Sequence, residues 1–159
     1  MCRIVAVAAS LMLLALPAWA ATTATGGSAL ALSTLVSEKS PTLGPVDKHT
    51  LAKLFEGNAN VSYPPGKKIT VSADKIVCKA GNVDITQHSC ALTFGTRTIT
   101  LTGRRAHELF ATLGEVGVPP EGAAGTIFES LSHLACTIDP NLIKQRAGGG
   151  ADCNFDPGS

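Results

Sequence analysis

The chain is poor in aromatic side chains. Phe, Trp and Tyr make up 4% of its 159 residues, with one tryptophan (Trp19) and one tyrosine (Tyr63). Surfaces that bind single-stranded nucleic acid stack successive bases on exposed aromatic rings, and carbohydrate-binding surfaces stack sugar rings in a similar way. The scarcity of aromatic residues therefore argues against both kinds of ligand.

The chain also lacks an excess of charge of either sign. It has 13 Lys and Arg against 12 Asp and Glu, and its only adjacent basic pairs are Lys67-Lys68 and Arg104-Arg105. Proteins that grip the phosphate backbone of nucleic acids carry clustered basic side chains. We therefore expect no nucleic-acid partner.

Several short motifs that carry chemistry are absent from the sequence. It contains no C-x-x-C pair, no G-x-S-x-G, no H-E-x-x-H, no P-loop and no G-x-G-x-x-G. These absences argue against a redox dithiol, a cysteine-based zinc site, a nucleophile elbow and a nucleotide-binding loop. The sequence therefore predicts no cofactor and no metal.

Only one long hydrophobic run occurs, and it lies at the start of the chain. Residues 4–16 are almost entirely apolar; Arg3 precedes them, and Pro17 and the small-residue site Ala18-Trp19-Ala20 follow. The run is shorter than the roughly 20 residues of a membrane-spanning helix, and this pattern is typical of a cleaved signal peptide. Residues 1–20 are therefore predicted to direct export, to the periplasm or outside the cell, and no membrane span is expected after cleavage.

Four cysteines follow the predicted signal peptide. Exported chains oxidise their cysteines, and four cysteines allow three disulfide connectivities. We favour pairing between sequence neighbours, Cys78 with Cys90 and Cys136 with Cys153.

The first part of the exported chain, residues 21–46, is rich in small and polar residues. We predict a mobile or partly helical leader there, with a short helix within residues 28–39. A single α+β domain is predicted over residues 47–159, beginning with a helix from an Asp47 cap to Phe55.

The clearest local pattern is a β-hairpin. Apolar and polar residues alternate over residues 90–102, and Gly95-Thr96 fits a two-residue type II′ turn. This turn pairs Phe94 with Arg97 and Cys90 with Leu101, which directs Cys90 inward. Upstream, residues 69–78 predict strands interrupted by a turn at residues 74–75. The threonines of the hairpin then share the face away from the core: Thr93, Thr98, Thr100 and Thr102.

Two helices are predicted after the hairpin. Residues 104–116 place Ala106, Leu109, Phe110 and Leu113 on one face, and residues 120–136 carry apolar side chains at similar spacing. The predicted fold is therefore an α+β domain: a small antiparallel sheet over about 69–102, with C-terminal helices packed on one face and two disulfides.

Candidate catalytic residues are few. Asp84, His88 and Ser89 supply an acid, an imidazole and a hydroxyl, but adjacent strand residues point to opposite faces, which suits a triad poorly. We favour a polar loop, with His88, His107 and Asp84 kept as candidates. Glu129 and His133 are interpreted as a structural i, i+4 pair on the last helix rather than a metal site.

Two groups are candidates for binding. Arg104 and Arg105, at a helix start, are able to hold an anion, although a solvated helix face is favoured. Thr98 and Thr100 belong to a flat threonine-rich strand surface on which another chain is able to dock, although exposed strand threonines are also ordinary.

The leading prediction is an exported, non-enzymatic binding or interaction protein whose partner is a protein or a small molecule. Two alternatives stay open. One is an inhibitor of an exported hydrolase that uses the loop at residues 79–89. The other is a small hydrolase that uses His88 or His107.

Overall fold

The computed structural model describes residues 22–158 except 59, 82–83, 124 and 146–148, and leaves out the side chain of residue 123. The predicted signal peptide lies outside the described residues. Within this part of the chain, seven strands form one antiparallel sheet, accompanied by four α-helices and a 3-10 helix. The α+β class predicted from the sequence is confirmed. None of the described helices is long and apolar enough to cross a membrane.

The helices come from both ends of the domain. They are α1 (Gly26–Ser37), α2 (Pro45–Phe55), α3 (Gly103–Glu115) and α4 (Pro140–Gln145), with the 3-10 helix at Ile85–Gln87. The strands are β1 (Thr22–Thr25), β2 (Ile69–Gly81), β3 (Ser89–Phe94), β4 (Arg97–Thr102), β5 (Glu121–Ala123), β6 (Thr126–Ile138) and β7 (Ala151–Pro157).

The sheet is larger than predicted. Its strand order is β1-β7-β6-β2-β3-β4, and β5 pairs with the start of β6. The two longest strands, β2 and β6, have 13 residues each and lie side by side in the centre. The sheet therefore includes residues from both ends of the described chain, well beyond the 69–102 region.

The hairpin has the predicted register. Phe94 pairs with Arg97 and Cys90 with Leu101 across β3 and β4. Gly95 has a φ of 59°, a conformation that glycine adopts without steric cost. Its N–H donates a hydrogen bond to the carboxylate of Asp74 on β2, which attaches the turn to the neighbouring strand.

The helix predicted over residues 120–136 is wrong, because these residues form β5 and β6. Glu129, Leu131 and Leu134 point into the core. The i, i+4 pair of Glu129 with His133 is therefore also wrong: Glu129 is buried, whereas His133 is exposed. Strand pairing with β2 and β7 satisfies the backbone of this segment instead of helical hydrogen bonds.

The turn predicted at residues 74–75 is also wrong, since β2 runs through it. The side of the strand that faces the core nevertheless changes there, from Val71 and Ala73 to Ile76 and Cys78. At the same level β6 contains His133, whose φ is 52°. Ala73 pairs with Leu134 and Lys75 with Ser132, and the pairing is interrupted between these two levels.

Helices α1 and α3 contact each other and the sheet, while α2 packs against α1. The buried stripe predicted for α3 is confirmed: Ala106, Leu109 and Leu113 have no exposed surface. The expectation that only C-terminal helices cover the sheet is wrong in one respect. Residues 22–46, predicted as a leader, contain β1 and α1, and Leu32, Leu35 and Val36 of α1 lie in the core.

The predicted disulfide pairing is confirmed. Cys78 lies directly opposite Cys90 on β2 and β3, and Cys136 lies opposite Cys153 on β6 and β7. The Cα atoms are 4.0 Å apart in both pairs, and all four side chains are buried. Cys136 lies on a strand and not at the end of the helix predicted over residues 120–136, so the second bridge joins two strands. Each bridge therefore fixes the register of one pair of neighbouring strands.

Candidate functional site

His88 and His107 form the closest contact between two candidate catalytic side chains. Their Nδ1 atoms are 3.2 Å apart, and the ring centroids are 4.9 Å apart in an edge-to-face arrangement. In a neutral pair at this distance, one Nδ1–H donates a hydrogen bond and the other Nδ1 accepts it. The sequence analysis selected both histidines but did not predict that they meet.

Backbone hydrogen bonds at the start of α3 bring the two rings together. The N–H of His88 donates to the carbonyl of Ile85 at 3.1 Å, which closes the 3-10 helix. The carbonyl of His88 accepts a hydrogen bond from the N–H of Gly103, also at 3.1 Å. Gly103 is the first residue of α3, so His107 lies about one turn along the helix, beside His88.

The surroundings of the pair are partly apolar. His88 is 8% exposed, and His107 is half-buried. The ring of Phe110, one turn further along α3, packs edge-on against His88 with a centroid distance of 5.9 Å. This packing limits the rotation of the His88 ring, so the Nδ1 atoms are held in their mutual position.

Arg104 and Arg105 lie next to this pair but are already bound to carboxylates of the chain. The Nε atom of Arg104 lies 3.0 Å from Glu108, and Arg105 contacts Glu108 at 2.7 Å and Glu38 at 3.0 Å. The Arg105 hydrogen bond is the main reason that the pKa of Glu108 is lowered, and the same bond raises the pKa of Arg105. An external anion at the arginines would have to compete with Glu108 and Glu38.

Asp84 and Ser89 do not complete a triad in the described structure. The exposed Asp84 carboxylate accepts a hydrogen bond from the backbone N–H of Thr86 at 2.9 Å, and this bond is the main cause of its lowered pKa. Among the described residues, no hydrogen bond joins Asp84 or Ser89 to either imidazole. Cavities of about 260, 130 and 60 Å³ are lined by residues other than the two histidines.

Thr98 and Thr100 belong to a much larger surface than the hairpin. Cross-strand partners share a face of a sheet, so the pairing registers trace rows of side chains across it. One row joins Thr25, Asp152, Thr137 and Thr70, and another joins Val77, Ala91 and Thr100. These side chains alternate with those that face the helices. We call this surface the hydroxyl face. Its Thr and Ser members, all exposed or half-buried, are Thr23, Thr25, Thr70, Ser72, Ser89, Thr93, Thr98, Thr100, Thr102, Thr126, Ser130, Ser132 and Thr137.

Glu129 is an unexpected polar residue in the core. It lies opposite Cys78 on the helix-covered side of the sheet and is 4% exposed. Its Oε2 atom has no hydrogen-bond partner among the described residues. Burial raises its pKa to about 7, because an ionised carboxylate loses its hydration there.

The chain was compared with protein-family models, with curated proteins and with solved structures, and none of the three comparisons found a match.

Proposed function

We propose that this protein is an exported, non-enzymatic interaction protein that docks another protein on its hydroxyl face. The observation that carries the proposal is the spread of Thr and Ser side chains over five strands of the sheet, β1, β6, β2, β3 and β4, on the face opposite the helices. Between β1 and β6, strand β7 adds the polar side chains Asp152, Asn154 and Asp156 to the same face. A hairpin alone would present only a narrow strip.

The chemistry of the hydroxyl face favours a protein partner that has little charge of its own. Each threonine presents a methyl group together with a hydroxyl that both donates and accepts hydrogen bonds. The charged side chains within the pairing rows are two lysines, Lys75 and Lys79, and three carboxylates, Glu121, Asp152 and Asp156, so the face has almost no net charge. Cores of protein interfaces are depleted in charge, and non-obligate interfaces are no more apolar than other surfaces.

The size of the face is also suitable. With strands about 4.8 Å apart and about 3.3 Å per residue, the paired outward positions cover on the order of 700 Å². A standard protein–protein interface buries about 800 Å² on each partner. The face is therefore large enough to form most of such an interface without the loops.

The predicted location fits this function. The two buried disulfides are compatible with an oxidising compartment. Export follows from the signal peptide predicted over residues 1–20, and an interaction surface outside the cytosol would meet other exported proteins.

Site-specific photocrosslinking tests the proposal. A benzophenone amino acid is placed at Thr100, on the hydroxyl face, in the full chain produced in its native cells. The matched control position is Val46 on α2, which is 68% exposed on the helical side of the molecule. We expect a crosslinked protein of different sequence from position 100 but not from position 46. Thr98→Lys with Thr102→Lys should abolish the crosslink, whereas Thr98→Ser with Thr102→Ser should keep it.

Other results would overturn the proposal. These are an absence of crosslinks at position 100, equal crosslinking at position 46, or a product that contains two copies of this chain. His88→Ala and His107→Ala should leave the crosslink intact, because neither residue belongs to the hydroxyl face. Loss of the crosslink in a folded histidine variant would relocate the interface to α3 and so contradict the proposal.

A further inference from the structure

We infer that His88 and His107 form a binding site for a divalent transition-metal ion, which they hold through the Nδ1 atom of each ring. The site is separate from the hydroxyl face and goes beyond the proposed docking function. It uses the one pair of imidazole rings that the fold brings into contact within the described residues.

The spacing of the two nitrogens matches that of ligands on one metal ion. Zinc binds histidine nitrogen at about 2.0–2.1 Å in tetrahedral geometry, which places two ligand nitrogens about 3.3 Å apart. Adjacent nitrogens in a square-planar copper site lie about 2.9 Å apart at similar bond lengths. The observed distance of 3.2 Å lies between these values. To bind an ion, the rings turn so that both Nδ1 lone pairs point at the metal instead of at each other.

The tautomers available to the two imidazole rings also permit metal binding. Without metal, one ring carries its hydrogen on Nδ1 and donates it to the Nδ1 lone pair of the other ring. When a metal ion binds, both Nδ1 atoms must offer lone pairs, so the donating ring carries its hydrogen on Nε2 instead. Both imidazoles stay neutral, and no net proton is lost.

The carboxylates near the histidine pair already have partners within the chain, so the two Nδ1 atoms are the primary ligands. The Glu108 carboxylate is held by Arg104 and Arg105, and Asp84 accepts its hydrogen bond from Thr86. In the described part of the chain no cluster of three or more His, Cys, Asp or Glu side chains forms a ready metal site. The chain therefore supplies two ligands, and water fills the other positions.

The donor atoms define the class of metal. Imidazole suits zinc, copper and nickel, whereas magnesium and calcium prefer carboxylate, carbonyl and water oxygens. The backbone hydrogen bond from Gly103 to His88 brings the two residues side by side, and Phe110 packs against the His88 ring. The backbone that carries both ligands is therefore already in position when the ion binds.

A zinc titration of the oxidised full chain, in competition with a chromophoric chelator, tests the site. We expect one saturable zinc ion per chain. His88→Ala and His107→Ala should each weaken binding by about tenfold or more, which corresponds to a loss of about 1.4 kcal/mol or more. The matched control is His49→Ala, because His49 is exposed on α2. It should bind zinc like the wild type, and Mg²⁺ should not displace the bound zinc.

Long-range ¹H–¹⁵N spectra of the imidazole rings give a second readout that does not depend on variant folding. Zinc should shift the Nδ1 resonances of His88 and His107 and leave Nε2 protonated in both rings. The inference is overturned if the wild type shows no saturable binding, if His49→Ala removes it, or if the Nδ1 resonances do not move. The crosslinking experiment tests the hydroxyl face and the zinc titration tests the histidine pair. The docking proposal and the metal-site proposal can therefore fail independently.

Discussion

At the scale of single residues, the buried carboxyl group of Glu129 links the stability of the fold to pH. Its carboxyl group lies among apolar groups beneath α3, and a Cβ atom placed on Gly114 would be only 3.4 Å from its Oε1. The burial favours the protonated form in the folded state, because a carboxylate without a partner is poorly solvated there.

We predict that the difference in stability between Glu129→Gln and the wild type depends on pH. The pKa of Glu129 is about 7 in the folded protein, against an ordinary value of 4.5. Below pH 4.5 the group is protonated in both states, so it costs no stability; between pH 4.5 and 7 the unfolded chain ionises first and the folded state loses relative stability. Above pH 7 the loss is complete, at about 3 kcal/mol.

Urea unfolding at pH 4.5 and pH 8, followed by circular dichroism, measures this effect. The free energy of unfolding of Glu129→Gln relative to wild type should rise by up to about 3 kcal/mol between the two pH values. The cost of burying the amide introduced by Glu129→Gln does not depend on pH, so it cancels when the two pH values are compared. Glu115→Gln, at the exposed end of α3, should follow the wild type at both pH values. A parallel pH dependence in wild type and Glu129→Gln would show that the carboxyl group is ionised in the fold at no cost.

At this scale, the sequence identified the reactive residues but not which of them lie in contact in the fold. The histidines at positions 88 and 107 were both selected, yet their contact depends on the long-range bond from Gly103 to His88, which no local pattern encodes. The cysteine pairs were predictable because each pair closes a short loop between neighbouring strands. Glu129 was missed because its burial follows from β6 being a strand.

At the scale of elements, the change of face in β2 and β6 explains why one strand was predicted as a helix. In β6 the buried side chains move from Leu131 to Leu134, a step of three residues, where the strand is irregular at His133. Such a step imitates the i, i+3 spacing of an amphipathic helix. In β2 the step from Ala73 to Ile76 led to the prediction of a turn. The β-branched and aromatic residues at both ends of β6, Thr126, Ile127, Phe128, Thr137 and Ile138, were the available sign of a strand.

The hairpin was predictable because its two signals agree. Gly95 permits the turn, and the alternation of side chains selects the same register as the turn does. The structure adds the hydrogen bond from Gly95 to Asp74, which the sequence did not reveal.

We predict that Gly95→Val destabilises the protein more than Thr98→Ala. Valine would be forced to the positive φ that Gly95 adopts, at a cost of about 1–3 kcal/mol. Thr98→Ala removes an exposed strand side chain and should change stability by no more than about 0.5 kcal/mol. Thermal unfolding of the two variants provides the measurement. Equal melting temperatures would contradict the strain assigned to residue 95.

At the scale of the whole molecule, the position of signal cleavage decides whether the edge strand is complete. Strand β1 begins at Thr22, and its four residues pair with Phe155, Asn154, Cys153 and Asp152 of β7. The predicted cleavage after Ala20 leaves all of β1 on the mature chain. Cleavage a few residues later would remove part of it and expose one edge of β7.

We predict that the exported protein begins at Ala21. The basis is the small-residue site at Ala18-Trp19-Ala20. N-terminal sequencing or intact-mass measurement of the exported protein checks this. A chain that still begins at Met1, or one that lacks Thr22, would contradict the prediction.

The place of β7 between β1 and β6 has a consequence for biosynthesis. A ribosome releases Thr22 long before residues 151–157, and at 5–20 residues per second the delay is roughly 10 s. Throughout that interval β1 has no strand to pair with, and Cys136 has no Cys153 to join. The edge formed by β1 and β7 and the bridge between Cys136 and Cys153 are therefore the last parts of the sheet to form, whereas β2, β3, β4 and β6 are able to pair before β7 has been made.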